Sequence, residues 1–414
     1  AATLLDAYPM ARAGRASEAV SLATVASWIG GIIGGIILLF FAPLLAAIAI
    51  KFGPAETLGL ALLGLTAIAT LSQGSTVKGL LSGALGLLLA TVGVDPFTGI
   101  SRFNFGFTSL SGGLTFVSLL VGLFAISEVL IQIETGVRAW DKASRVGFTV
   151  RVMKTIVTDW FGYLRGSMTG VIIGVIPGIG GVTSSFLAYK LAKDFSKTPE
   201  SFGKGEPKGV IATESANSAT TGGALIPMLA IGIPGDPIVA VMMGGLLIHG
   251  LSPGPVLFFT NIEVLSGIFA IFLIGAVLLL PVGWILMPLF VRLLRVPHVI
   301  MIVVILMLCI FGTYAVQRQI FDLWVMWVFG IAGYGMRKAG IPLSPLVIGF
   351  VLGPVVEVTL RRLSTIAGDD PVGFLLGRPS ALVIFLFVIA ALIFPLLKIA
   401  LARQGERDAP VAKS

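Results

Sequence analysis

The chain has 414 residues, 56% of them hydrophobic and 12% charged, with a formal net charge of +8 and a mean hydropathy of +1.03. These proportions exclude an ordinary water-soluble domain and describe an integral membrane protein. The positive balance would suggest nucleic acid for a soluble chain, but here Lys and Arg fall between apolar runs, where they orient helices in a lipid bilayer, so no nucleic-acid partner is expected.

Apolar segments approach the ~20 residues that cross a bilayer as helix, and the alternating strands of an outer-membrane barrel are absent. The expected fold is therefore all-α, a polytopic membrane protein with broken or re-entrant helices. The lone Cys309 lies in an apolar run and has no partner for an internal disulfide. No signal peptide opens the chain, and the native start is expected to be missing or cut away.

Residues 1–20, with Arg12 and Arg15, read as a loop or interfacial helix. The first span covers 25–50. Its Gly30-Gly31-Ile32-Ile33-Gly34-Gly35 has the small-xxx-small spacing that lets a neighbouring helix approach closely. Shorter apolar pieces follow at 57–72 and 78–94. Asp95-Pro96-Phe97-Thr98-Gly99 then forms a turn before a span at 110–133.

Residues 136–165 are rich in Arg and Lys and are placed in the cytoplasm by the positive-inside rule. Lys190 to Lys208 are also basic, so a hairpin with its tip at Pro177 to Gly181 keeps both segments on one side. A second break is expected from Glu214 through Gly223 to Pro237. Later spans fall at 264–291, 299–316, 321–336, 343–358 and 380–401. Simple alternation puts Arg361, Arg362 and Arg378 outside. Making 342–358 re-entrant repairs this but moves Lys398 and Arg403 outside.

Three regions result: 1–165, N-terminal spans and a basic loop; 166–255, a broken-helix substrate and ion site; and 256–414, C-terminal spans and a short polar tail. Broken backbone is costly in hydrocarbon but tolerated where it lines a polar cavity, the usual seat of a transported solute.

For an anionic substrate the candidates are Pro177, Gly178, Gly180, Gly181, Thr183, Ser184, Asn217, Ser218 and Gly235. A helix starting after the Pro-Gly tip would aim free N–H groups and its positive dipole end at an anion. For cation or proton coupling they are Glu214, Ser215, Asn217, Thr220 and Thr221, which supply oxygens. Glu214 reads either as a cation ligand or proton carrier or as a solvated group at the lip of the cytoplasmic loop. Asp236 reads as the cap of a following helix. Gly250-Leu251-Ser252-Pro253-Gly254 spells a hydrolase-like elbow, but Pro253 lacks the N–H that an oxyanion hole needs. A channel remains the other alternative. No Gly-rich nucleotide loop is present, so a carrier of an anion would be left to cation coupling, and no resident cofactor or metal is expected.

Several motifs together resemble the large membrane subunit of the tripartite tricarboxylate transporters. They are Gly174-Val175-Ile176-Pro177-Gly178-Ile179-Gly180-Gly181, Phe202-Gly203-Lys204-Gly205, Glu214-Ser215-Ala216-Asn217-Ser218-Ala219, Gly232-Ile233-Pro234-Gly235-Asp236-Pro237 and Ile248-His249-Gly250-Leu251-Ser252-Pro253-Gly254-Pro255. The resemblance implies a permease of the bacterial inner membrane, driven by Na⁺ or H⁺. Its implied partners are a periplasmic solute-binding protein and a small four-helix membrane subunit. In that family a segment like Leu5-Asp6-Ala7-Tyr8-Pro9-Met10-Ala11-Arg12 follows a first copy of the Pro-Gly motifs. One of two related half-sites is therefore expected to be missing from this chain.

Overall fold

The computed structural model describes residues 2–71, 75–95, 97–135, 147, 149–176, 180–293, 296–368 and 370–407. These residues are overwhelmingly helical, as the all-α expectation requires. α1 (Leu4–Met10) bends at Gly14, where φ is +78°, into α2 (Ala16–Ala49). α3 (Pro54–Leu71) and α4 (Thr76–Leu89) precede a small antiparallel ribbon of β1 (Gly93–Val94) and β2 (Ser101–Arg102). α5 (Phe116–Thr135) contains a π-helical run at Val121–Ile126.

α6 (Trp160–Val175), α7 (Gly180–Asp194), α8 (Pro207–Ile231) and α9 (Pro237–Ile248) form the central region. α10 (Ile262–Leu293), α11 (His298–Gln317), α12 (Ile320–Lys338), α13 (Ser344–Ala367) and α14 (Pro379–Arg407) complete the chain. Among the described residues, Leu4–Ala49, Phe116–Thr135, Ile262–Leu289 and Val299–Gln317 are long and apolar enough to cross a membrane. The chain is thus a multi-pass membrane protein with interrupted helices.

Two units divide the helices. The first comprises Ala1–Lys51 and Leu114–Met336. At its centre α8 packs on α2, α6 and α7. Gly30 and Gly34 of α2 lie against the backbone of Ser215 and Ala219, and Gly166, Gly170 and Gly174 of α6 lie against Ala212, Ala216 and Thr220. A spacing of four keeps each set on one helix face. A Cβ at Gly34 would stand 2.9 Å from the Ala219 carbonyl oxygen, and one at Gly174 2.5 Å from that of Thr220. Lipid supplies no hydrophobic force between helices, so such close backbone packing is what holds them together. The glycine-rich stretch of α2 therefore has the packing role its spacing predicts.

The run Glu214 to Gly223 corrects the sequence reading. It is not a break but the unbroken middle of α8. Its hydroxyls turn back onto the helix's own carbonyls, Ser215 onto Ile211 at 2.7 Å and Thr220 onto Ala216 at 2.7 Å, so hydroxyl residues stay within helix at little cost. Its small side chains admit three neighbouring helices. The real interruption begins at Gly232, which ends α8 with φ +76° and donates its N–H to Met228. Of the two readings of residues 1–20, loop or interfacial helix, a helix forms at Leu4–Met10, and it buries Asp6 and Met10.

The second unit comprises Phe52–Gly113 and Arg337–Ser414. α4 and α13 run parallel, with Gly83 and Gly86 facing Pro345 and Leu346, and Gly353 facing Ala90. α13 is one helix of 24 residues, roughly 36 Å at 1.5 Å per residue. Within it, residues 344–358 are continuous helix with no break. Arg361 bonds Asp95 at 2.7 Å and Glu357 at 2.9 Å, and Arg102 bonds Glu357 at 2.6 Å. Arg378 bonds Glu56 at 2.9 Å. Arg361 and Arg378, which alternation puts on the wrong side, thus carry neutralised charge.

Candidate functional site

α6 ends at Val175 and α7 begins at Gly180, the two helices of the expected hairpin, and both pack on α8. Pro177 and Gly178, two of the predicted site residues, lie outside the described residues. Gly180 opens α7 with φ +65°, a conformation that glycine adopts without strain.

The start of α7 meets α8 along a polar seam. A Cβ on Gly181 would stand 2.7 Å from Asn217 Oδ1, so the Asn217 amide rests directly on the first turn of α7. One turn further, Ser184 Oγ lies 2.6 Å from Thr220 Oγ1, and both residues are buried. Ser184 also approaches the Gly181 carbonyl at 2.9 Å, and Thr220 that of Ala216 at 2.7 Å. Two hydroxyl protons serve these three contacts, so one carbonyl is released whenever the hydroxyls bond each other. Asn217 and Thr183 are exposed beside this buried pair, so the seam opens outward at its glycine end.

The loop after α8 closes the seam from another direction. Gly235 is buried, and a Cβ there would stand 2.7 Å from both the Ala224 Cα and the Gly174 carbonyl oxygen. Asp236 Oδ1 accepts the Val239 N–H at 2.8 Å and so caps α9, the role its position predicts. A Cβ on Gly180 would be 3.8 Å from Asp236 Cβ, which puts the buried carboxyl at the start of α7.

The fold therefore brings together Gly180, Gly181, Ser184, Asn217, Thr220 and Gly235. It sorts the other candidates elsewhere. Ser218 and Thr221 are half-buried and share the Glu214 face of α8, at spacings of four and seven. Glu214 accepts hydrogen bonds from Thr3 Oγ1 and from Ser27 Oγ at 3.0 Å. It lines a largely apolar cavity of about 560 Å³ with residues of α1 and α2 and Leu279 and Gly283 of α10. Glu214 is thus neither a simple solvated lip residue nor part of the Asn217 seam. Ser215 is turned into the tight contact with Gly166.

One residue was invisible to sequence reasoning. Asp6 Oδ1 accepts backbone N–H groups from Gly203 and Gly205 at 2.8 Å and from Glu206 at 2.9 Å. The Phe202-Gly203-Lys204-Gly205 turn is a nest for this buried carboxylate, and the bond to Gly203 bridges 197 positions of sequence. The signal available was glycine spacing in the turn, which does not say which carboxylate fills it.

The Tripartite tricarboxylate transporter TctA family matches residues 1–348. A 52.8 kDa uncharacterized protein of Agrobacterium vitis, described by its place 3′ of ttuC′ in the TAR-I region, is 36% identical over 391 residues, covering 92% of this chain and 76% of its own length. A second protein of the same organism, from the TAR-II ttuC′ 3′ region, is 36% identical over 212 residues, 51% of this chain and 88% of its own. No solved structure matches the chain.

Proposed function

Because the chain belongs to the tripartite tricarboxylate transporter TctA family, we propose that it is the permease subunit that carries organic di- and tricarboxylates inward on a Na⁺ or H⁺ gradient. The observation that carries this reading is the meeting of Gly181 with Asn217, beside the Ser184–Thr220 pair and at the first turn of a 15-residue helix. N–H groups at a helix start, an amide and two hydroxyls make a donor set for a carboxylate. A periplasmic binding protein would deliver the substrate, and a small membrane subunit would complete the assembly in the bacterial inner membrane.

Electrostatics supports the coupling. Inward movement against an inside-negative potential costs a dianion roughly 2.3 kcal/mol per charge per 100 mV. Two monovalent cations cancel that term and a third makes it favourable. Asp236 adds a local reason, since its buried carboxyl borders Gly180 and an anion seated there gains from a companion cation.

The test is uptake of labelled citrate by the assembled transporter in proteoliposomes. Asn217→Ala should raise KM about tenfold, the effect of roughly 1.4 kcal/mol of lost binding. Citrate uptake with unchanged KM would remove the seam from the mechanism.

A further inference from the structure

Away from the α7–α8 seam, the first unit holds a buried carboxylate that the chemistry above does not use. Asp322, in the first turn of α12, is 2% exposed. Its Oδ1 accepts a hydrogen bond from Thr115 Oγ1 at 2.6 Å, and its Oδ2 has no partner. Ser118 lies three residues beyond Thr115 and so on the same side of the α5 entrance. It is fully buried, and its hydroxyl too has no partner. Thr115 precedes α5 yet makes no side-chain cap there; its hydroxyl is spent on Asp322 instead. Asp322 Oδ2 and Ser118 Oγ are thus both buried and unpartnered, which neither packing nor capping explains.

Among the described residues, no cationic side chain is bonded to Asp322. The titratable groups on the elements packed around Asp322 are Glu128 and Glu134 of α5, His298, Cys309 and Tyr314 of α11, and Tyr334, Arg337 and Lys338 of α12, with Arg318 in the turn before α12. No ion pair joins any of them to Asp322 among the described residues. A buried carboxylate oxygen left without a partner is stabilised by a bound cation.

We infer that Asp322, Ser118 and Thr115 form a binding site for a monovalent cation, H⁺ or Na⁺. The inference rests on the reading of the chain as a cation-coupled carrier. One carboxylate balances one positive charge, and hydroxyl and carboxylate oxygens suit a hard ion. Among the described residues no group of three His, Cys, Asp or Glu side chains exists to hold a more highly charged metal.

Placement agrees with this role. α12 ends at Arg337 and Lys338, and α5 leads toward the basic residues 136–165. The positive-inside rule puts those ends in the cytoplasm and Asp322 at the outer end, where a cation moving down its gradient arrives. The π-helical run Val121–Ile126 starts three residues after Ser118, and such runs are frequent at functional sites. Phe116 of α5 also packs on Gly244 of α9, the helix capped by Asp236.

The experiment uses full-length protein. Binding of radioactive Na⁺ is measured at neutral and mildly acidic pH, and citrate uptake by the assembled transporter is driven by an imposed Na⁺ gradient or an imposed pH gradient. Asp322→Asn should abolish gradient-driven uptake and Na⁺ binding. Ser118→Ala, which leaves the Thr115–Asp322 bond intact, should raise the half-saturating cation concentration about fivefold, a loss of roughly 1 kcal/mol, with an unchanged Tm. Dependence on the Na⁺ gradient identifies sodium as the occupant, and dependence on the pH gradient alone identifies the proton. Should Asp322→Asn fail to fold, Ser118→Ala decides by itself. Folded variants that keep wild-type cation dependence overturn the inference and leave the carrier reading standing. Wild-type uptake indifferent to both gradients overturns both.

Discussion

Ser184 Oγ and Thr220 Oγ1 stand 2.6 Å apart, joining the first turn of α7 to the middle of α8. Neither hydroxyl can donate twice, so the pair shifts easily between bonding each other and bonding their own helix carbonyls. Thr220→Val preserves shape and deletes one partner, leaving Ser184 to the Gly181 carbonyl. Loss of about 1 kcal/mol in stability is expected, together with weaker citrate uptake. Thermal unfolding in detergent and transport kinetics on the same preparation check both.

The glycine seam between α2 and α8 tolerates no side chain. A Cβ at Gly34 meets backbone atoms of Ala219 at 2.9–3.3 Å, and backbone cannot rotate away. Gly34→Val should therefore cost several kcal/mol, on the order of 3 or more, and reduce the yield of folded protein. Gly275→Ala in α10 meets nothing within 4 Å and should be neutral or mildly stabilising. Fluorescence-detected size exclusion with a heating step separates the two outcomes.

Asp6→Ala removes the acceptor shared by Gly203, Gly205 and Glu206. Buried N–H groups left without an acceptor cost about 1–3 kcal/mol each. Asp6→Asn keeps one oxygen and should lose less. Limited proteolysis at the 203–206 turn should rise sharply in the alanine variant and modestly in the asparagine variant.

These positions also explain how far the sequence could be read. Apolar runs announced the spans, because helix length against bilayer thickness is a local property. Gly30 to Gly35 announced a packing face, and Asp236 announced a cap, since both depend on residues a few places apart. The stretch Glu214 to Gly223 misled, because hydroxyls that bond their own helix look in sequence like loop-formers. Asp6 in its nest and Arg361 with Asp95 are settled by partners 197 and 266 residues away, which no local pattern names. Within the candidate site, the Gly181–Asn217 contact joins two residues of the substrate set, and the Ser184–Thr220 contact joins one of the substrate set to one of the coupling set.

The Asp95 network predicts a pH response. Hydrogen bonds from Arg361 and from the Phe97 N–H hold the Asp95 carboxyl well below the usual carboxylate range. A group whose pKa is lowered on folding stabilises the fold above its unfolded value of about 3.9. That contribution fades only as pH falls from there toward the depressed value. Melting temperature should therefore be insensitive to this group from neutral pH down to about 4 and decline below it. Arg361→Ala removes the first cause of the shift and should narrow that window, so the wild-type advantage in Tm shrinks as the pH drops. Equal dependence on pH in both proteins would contradict the assignment.

The most direct measurement asks whether a carboxylate touches the α7–α8 seam. Cys309 is the chain's single cysteine, so Cys309→Ser gives a blank background into which Asn217→Cys places one exposed thiol at the glycine end of α7. In the assembled transporter, citrate together with the coupling cation should slow maleimide labelling of that thiol, with a half-effect concentration that follows the transport KM. Labelling at the same rate with and without saturating citrate, in a preparation that still transports, would contradict the account.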